Sequence, residues 1–167
     1  LANILVAIEA LLGMLGIAMA TGLIFAKFAR TRPRVLFSRA VVVAPMDGKP
    51  ALMFRLANER STQIVEAQLS VTVLRDEVTK EGEFMRRLHE IPLLRAHSAM
   101  FALSWSAIHI IDEKSPFHGA TAESLAAVNL ELVVSMLGME EVTGQTVHAR
   151  HAYHWSDIHW DHRFVDI

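Results

Sequence analysis

The sequence predicts one membrane-spanning α-helix followed by an all-β domain, an immunoglobulin-like β-sandwich. The first 26 residues carry a single charge, Glu9, and include no proline. At 1.5 Å of rise per residue such a helix is about 39 Å long, enough to cross a bilayer. Most of the remaining chain consists of short runs rich in β-branched and aromatic residues, with turn signals between them, which is typical of a β-sandwich.

The charge pattern gives the helix a direction. Five bases and no acid lie between Lys27 and Arg39. A signal peptide would carry its bases before the apolar core, whereas bases that follow a span mark its cytoplasmic end. We therefore expect a helix at 1–29, a basic tether at 30–34 and a cytoplasmic domain at 35–167, located at the cell (inner) membrane.

Composition excludes several classes of protein. The net charge of −2 argues against a nucleic-acid partner, and the absence of cysteine excludes disulfides and thiolate metal sites. A chain without cysteine also suits a cytoplasmic domain.

The clearest strand is the segment "IVEAQLSVTVL", in which apolar and polar residues alternate. Its alternation predicts one buried face and one solvated face. The buried set is Val65, Ala67, Leu69, Val71 and Val73, and the solvated set is Glu66, Gln68, Ser70 and Thr72. Further predicted strands are "ALMFRLA", "AMFALSWSAIHII", "NLELVVSML" and "QTVHARHAYHW". The segment "TAESLAAV" predicts a short helix capped by Thr121, with Ser124 at the capping-box position.

No catalytic constellation stands out. Nine histidines are present, five of them in "HARHAYHWSDIHWDHRF", but on a strand His148 and His154 face one way and His151 the other. This pattern gives no compact metal-ligand set, and surface or interface histidines are the preferred interpretation. Glu140 and Glu141 are adjacent and would point in opposite directions. We expect no enzyme, no metal and no cofactor, with a membrane-tethered metalloenzyme as one alternative.

Two features of the helix stay open at this level. Glu9 either faces protein or water in a functional role, or lies at the outer headgroup zone. Gly13, Gly16 and Gly22 permit close helix packing or a bend.

Several ordered motifs give the chain a resemblance. They are "GLIFAKFAR", "LMFRLANERSTQIVEAQ", "VLRDEVTKEGEF", "HIIDEKSP", "ELVVSMLGMEEVTGQTVHARHAY" and "IHWDHRF". From about Ile4 to its last residue, the chain resembles the inner, pore-lining helix and the cytoplasmic domain of bacterial inward-rectifier potassium channels. The resemblance implies a homotetramer that conducts K⁺ and needs no cofactor.

The resemblance also implies roles along the helix. Phe25 matches the bulky residue at the helix-bundle gate, where four rings would exclude water. Gly13 and Gly16 match the region where such helices bend, and Ile17 and Thr21 match pore-lining positions. Ile17 stands where strongly rectifying relatives have an acid.

Basic residues next to the helix match positions at which anionic phospholipids act in the family. They are Lys27, Arg30, Arg32 and Arg34 in and beside the tether, and Arg60 in the cytoplasmic domain. The chain departs from the family pattern at Thr31, where proline is usual, and at Ser61, where animal channels often have a base. Inhibition by phosphoinositides is the expected response.

On the polar strand face, Glu66 matches an acid that faces the aqueous conduit through the cytoplasmic domains. A ring of four carboxylates would concentrate cations there. Leu137 occupies the position of a second family acid, so we expect weak block by polyamines or magnesium.

The T-x-G-Y-G potassium filter does not occur in the sequence. We therefore expect the chain to be the part of a subunit that follows the filter. The other alternative is a single-span anchor that presents a β-sandwich to a protein partner.

Overall fold

The computed structural model describes residues 2–28 and 34–165. The chain separates into two compact units, Leu1–Arg32 and Pro33–Ile167. The first unit is a helix and the second is a β domain.

The first unit is one uninterrupted helix, α1 (Ala2–Phe28). Its segment Asn3–Phe25 has a mean hydropathy of 2.2 and is long and apolar enough to cross a membrane, by length and composition. None of this segment is buried within the chain. The hydroxyl of Thr21 donates to the carbonyl oxygen of Ile17 at 2.8 Å, so this polar group is satisfied inside the helix. The predicted helix is confirmed.

The described part of the second unit, residues 34–165, contains ten strands in two five-stranded sheets. The strands are β1 (Val35–Phe37), β2 (Val41–Met46), β3 (Lys49–Asn58), β4 (Ile64–Val78), β5 (Phe84–Ile91), β6 (His97–Phe101), β7 (Ser104–Ile110), β8 (Glu131–Glu140), β9 (Thr146–His154) and β10 (Ile158–Trp160). One sheet has the order β1-β3-β2-β10, with β7 also paired to β3. The other has the order β5-β4-β8-β9, with β6 also paired to β4. All pairs are antiparallel except β10 with β2.

The core lies between the two sheets, which confirms the predicted β-sandwich. Its largest fully buried side chains include Trp105, Tyr153, Phe54 and Phe101. Phe101 meets the edge of Trp105 with ring centroids 5.9 Å apart, and Phe54 lies 5.7 Å from Tyr153. Burying one such aromatic ring contributes about 1.5–3 kcal/mol, so these rings are a substantial part of what the core contributes to stability. Burial also raises the pKa of Tyr153 to about 12.

The short helix α2 (Ala122–Ala127) has the predicted capping box. The hydroxyl of Thr121 accepts from the backbone N–H of Ser124, and the hydroxyl of Ser124 accepts from the backbone N–H of Thr121. Two otherwise unpaired backbone donors are therefore satisfied at the start of the helix.

The strand predictions need correction in two respects. The run "AMFALSWSAIHII" forms two strands, β6 and β7, because the chain turns at Ala102 and Leu103. The sequence does not predict strands β1, β2, β5 and β10. In β5 the alternation is hidden by charged side chains, of which Arg86 pairs with Asp76 on the neighbouring β4 at 2.9 Å and with Glu131 on β8, one strand further, at 3.0 Å.

The prediction of which β4 residues are buried is also wrong at the start of the strand. Ala67, Leu69, Val71 and Val73 are buried as predicted, but Ile64 is fully buried while Val65 is only partly so. A β-bulge after Val65 reverses the alternation for the residues before it.

A polar group deep in the domain fixes the loop after β7. His109 is 2% exposed, and its Nδ1 lies 2.7 Å from the carbonyl oxygen of Pro92. A carbonyl only accepts, so Nδ1 carries the proton. Nε2 then accepts from the hydroxyl of Ser115 at 2.7 Å, and that oxygen in turn accepts from the N–H of Phe117 at 3.2 Å.

This arrangement predicts a loss of stability in acid. Burial lowers the pKa of His109 below its ordinary value of 6.5. The hydrogen bond to the backbone of Pro92 and the charge of Asp112 raise this pKa, but their effect is smaller. The unfolded chain therefore takes up a proton before the folded chain does. The stabilisation that comes from neutral His109 should be fully present above about pH 6.5. The free energy of unfolding should therefore fall as the pH drops below that value.

Melting temperatures of the purified protein between about pH 7.5 and pH 5 test this expectation. His109→Gln keeps a donor and an acceptor but does not titrate, so it should flatten the profile. The exposed His118→Gln is the matched control and should leave the profile unchanged. An equal slope in the wild type and His109→Gln would contradict the assignment.

Candidate functional site

The main candidate site is built on the β-bulge between β4 and β8. Val65 is opposite Met139 and Gln68 is opposite Leu137, so two residues of β4, Glu66 and Ala67, face the single residue Gly138. Glu66 has φ 51, a left-handed conformation that favours glycine. A glutamate in this position stores backbone strain, and such strain is found disproportionately at functional sites.

Gly138 makes the bulge possible. A Cβ at this position would lie 2.5 Å from Cγ2 of Ile64, 3.2 Å from Cα of Ala67 and 3.3 Å from the carbonyl oxygen of Val65. A side chain here would require the Ile64 side chain to move and the backbone of β4 to shift slightly. The link between Gly138 and the bulge was not predicted from the sequence, although a glycine inside a strand pattern indicates a bulge or a close backbone approach.

Glu66 projects from the outward face of its sheet. Its side chain is 66% exposed, and Oε2 lies 2.9 Å from Nε2 of His97 on β6. Gln68 and Ser70 are exposed on the same face, as predicted. They line a shallow groove together with His97, Leu137 and His148.

A second cluster holds the turn that carries Arg60. The side chain of Asn58 donates to the carbonyl oxygens of Thr62 and Phe101 at 2.8 and 3.2 Å, and accepts from the backbone N–H of Arg60 at 3.0 Å. Arg60 is half-buried. Its backbone position is therefore fixed by β3 and β6.

The turn after β8 is joined to the Arg60 turn. Glu140 is buried and accepts from both the N–H and the hydroxyl of Thr143. Hydrogen bonds from Thr143 and then Thr62 lower the pKa of Glu140 to about 2. The N–H of Glu141 donates to the carbonyl oxygen of Gln63 at 3.1 Å. Glu140 is buried and Glu141 exposed, so these neighbours face opposite ways, as expected from the sequence.

The predicted helix residues form a stripe on α1. Gly13, Ile17, Thr21 and Phe25 follow one another at four-residue spacing, which places them along one side of the helix. Ile17 and Phe25 are 71% and 74% exposed within the chain. A Cβ on Gly13 or Gly16 would meet no atom within 4 Å.

The predicted lipid-binding bases are only partly described. Lys27 and Arg34 are exposed. Arg30 and Arg32 lie outside the described residues.

The histidines do not form a metal centre in residues 2–28 and 34–165, where no group of three or more potential ligands could hold an ion. His148 and His154 are exposed, and His148 bonds to the hydroxyl of Ser135 at 3.1 Å. His151 faces the other way from these two, as predicted, and stacks on Phe37 with centroids 5.2 Å apart. His151 therefore contributes to packing, and His148 and His154 are surface residues.

A helix long and apolar enough to cross a membrane, followed by a β-sandwich with a polar groove, is the arrangement of a membrane-anchored protein. Residues 35–167 match the model of the inward rectifier potassium channel C-terminal domain. The chain belongs to the inward-rectifier potassium channel family, as its motifs had indicated.

Three relatives show how far the similarity extends. The chain is 47% identical over 167 residues to the inward rectifier potassium channel Kirbac3.1 of Paramagnetospirillum magnetotacticum, covering all of this chain and 57% of the relative. It is 38% identical over 178 residues to the human inward rectifier potassium channel 4, covering 39% of it. It is 34% identical over 172 residues to the bovine G protein-activated inward rectifier potassium channel 1, covering 98% of this chain and 34% of the relative.

The family assignment removes one of the two alternatives. The matched proteins are potassium channels and not enzymes, so the metalloenzyme hypothesis is set aside. The chain spans between a third and three fifths of the length of these relatives.

The strain at Glu66 can be measured by two substitutions that remove the same charge. Glu66→Gly and Glu66→Gln both abolish the carboxylate contact with His97, but only glycine relieves the positive φ. We expect Glu66→Gly to be more stable than Glu66→Gln by about 1 kcal/mol in urea unfolding of the purified protein. Equal stability of the two variants would show that the bulge stores no strain at this residue.

Proposed function

We propose that the chain forms the inner pore helix and cytoplasmic conduit of a homotetrameric potassium channel in the cell (inner) membrane. The observation that carries the proposal is the similarity to Kirbac3.1 along the whole chain, through both the apolar helix and the β domain. One such helix encloses nothing, whereas four around an axis enclose a pore. K⁺ is the transported ion, and the chain needs no cofactor.

In this proposal the gate lies at the cytoplasmic end of α1. Ile17 and Thr21 line the pore, and four Phe25 rings close it by excluding water. Their common side of the helix supports this role, because a pore axis requires such a stripe. Gly13 and Gly16 leave the helix free of side-chain bulk where it bends.

Anionic phospholipid is the proposed regulator of the gate. Lys27, Arg30, Arg32 and Arg34 follow the apolar segment directly, at the depth where each base gains about 1 kcal/mol from anionic lipid. Arg60 joins them from the cytoplasmic domain. We infer that phosphoinositides inhibit the channel, and that the turn fixed by Asn58 and Glu140 transmits the lipid signal.

Glu66 supplies the fixed charge of the cytoplasmic conduit. Its exposed carboxylate lies on the polar face of β4. Four copies would raise the local cation concentration and repel anions. Because Ile17 and Leu137 stand where other channels of the family carry acids, rectification through block by polyamines or magnesium is weak.

The assembly can be tested on the complete subunit that contains this chain. We expect native mass spectrometry in detergent to show four copies, since the pore requires four inner helices. A stable monomer that retains its fold would favour the single-span anchor instead.

The role of Glu66 predicts a salt-dependent loss of conduction. In liposomes containing the complete subunit, Glu66→Gln should lower inward cation flux several-fold at low salt. The difference should shrink at high salt, because salt screens the ring charge beyond about 8–10 Å at physiological strength. An equal loss at both ionic strengths would indicate misfolding.

The gate assignment predicts a difference between two phenylalanines. Phe25→Ala should widen and hydrate the constriction, so flux should rise several-fold under lipid conditions that keep the channel closed. Phe28, whose side chain lies outside the described residues, is about 60° off the same line and serves as the matched control with a smaller effect. If Phe28→Ala opens the channel and Phe25→Ala does not, the pore-facing assignments of Ile17 and Thr21 are wrong too.

A further inference from the structure

Strand β1 follows the basic segment 30–34 directly and is three residues long. It pairs with the end of β3 through three residue pairs, with Val35 opposite Asn58. The N–H of Glu59 donates to the carbonyl oxygen of Arg34 at 2.9 Å, so β1 begins beside the turn that carries Arg60. A strand with so few pairs is marginal by itself, so its side chains decide how firmly it is held.

Two aromatic contacts join β1 to the other sheet. The ring of Phe37 stacks on the imidazole of His151, with centroids 5.2 Å apart and ring planes 10° apart. The ring of His151 meets that of Tyr153 edge to face, with centroids 4.5 Å apart. Strand β1 belongs to one sheet, and β9, which carries His151 and Tyr153, is the last strand of the other. The stack therefore bridges the two sheets.

A hydroxyl pair lies next to the stack. The hydroxyl of Ser38, the residue after β1, donates to the carbonyl oxygen of Ala40 at 2.8 Å and accepts from the N–H of Arg55 at 3.1 Å. Because the proton of this hydroxyl is already used, Ser38 accepts from the hydroxyl of Tyr153 at 3.2 Å. The end of β1 is thus bonded to both β3 and β9.

We propose that His151, stacked on Phe37, anchors β1 and thereby couples lipid binding at the basic tether to the gate. The inference rests on the proposed function, in which anionic phospholipid acts on bases such as Arg34 and Arg60. A lipid that draws on Arg34 displaces both sheets of the domain together only if β1 stays attached to β9. His151 is thus a positioning residue for the gate, since it acts through Phe37.

The stack is the part of this attachment that a substitution can remove without opening the core. Phe37 and His151 are each half-buried, whereas Tyr153 is fully buried. A stacked aromatic pair stabilises a contact beyond the area that it buries, so its loss should shift the equilibrium between attached and detached β1 about two- to tenfold. The two sheets keep their own hydrogen bonds, so the domain should stay folded.

Hydrogen–deuterium exchange of the complete subunit in detergent tests the anchor itself. The backbone amides of β1 should exchange about two- to tenfold faster in His151→Ala than in the wild type. His151→Phe keeps an aromatic ring for Phe37 and should restore slow exchange. The matched control is His118→Ala, at an exposed histidine in the loop after β7, and it should leave the exchange of β1 unchanged. Unchanged exchange in His151→Ala would overturn the inference.

Cation flux tests the coupling. The complete subunit is reconstituted in liposomes of phosphatidylethanolamine and phosphatidylglycerol, with and without phosphatidylinositol bisphosphate. Inhibition by this lipid should be about two- to tenfold weaker in His151→Ala than in the wild type, and His151→Phe should retain it. Co-sedimentation with the same liposomes should show unchanged lipid binding, because the bases remain. A merely structural role of His151 would not separate binding from inhibition.

A substitution on the other side of the stack gives an independent variant. Phe37→Leu keeps an apolar side chain but has no ring, so it should weaken inhibition as His151→Ala does. The two substitutions remove the same contact, so their combination should add nothing further. Additive losses in the double variant would show that Phe37 and His151 act separately and would overturn the inference.

Failure of the inference can be distinguished from failure of the proposed function. If phosphatidylinositol bisphosphate does not inhibit the wild type, the proposed lipid regulation fails and the inference falls with it. If the wild type is inhibited, and His151→Ala and Phe37→Leu are inhibited to the same extent, only the role of His151 is overturned. A loss of lipid binding together with inhibition would place the defect in the lipid site and would also overturn that role.

Discussion

The close approach of β4 and β8 at Gly138 is the constraint on which the polar face of this domain depends. The missing side chain lets β4 accommodate one extra residue against β8, with Ile64 directed into the core and Glu66 directed outward. In a strictly alternating strand, Ile64 and Glu66 would lie on the same face. The bulge allows the first to be buried and the second to be exposed. The core keeps a large aliphatic side chain, and the surface keeps a carboxylate beside His97.

The same part of the fold connects the surface charge to the turns at the end of the sheet. Glu140 lies two residues after Gly138, and its buried carboxylate is held by Thr143 and, from the Arg60 turn, by Thr62. A buried carboxylate that accepts several hydrogen bonds is costly to displace, so Glu140 holds the two turns together. These contacts join the turn that carries Arg60, a proposed lipid-binding base, to the strand that follows Gly138.

The proposed conduit has few charged residues, so each charge has a large effect on the local cation concentration. Ile17 and Leu137 are uncharged, so Glu66 is the one acid that our proposal assigns to the conduit.

The sequence by itself determined the elements whose cause is local. The apolar run of α1, the bases after it, the capping box at Thr121 and Ser124 and the alternation from Ala67 to Val73 each follow from neighbouring residues. The ordered motifs also indicated the family. Only the tertiary structure decided the bulge, the burial of Ile64, the link through Glu140 and the contact between Glu66 and His97. Each of these joins strands or turns distant in the chain, and a pattern of local periodicity contains no information about which glycine or histidine a neighbouring strand will supply.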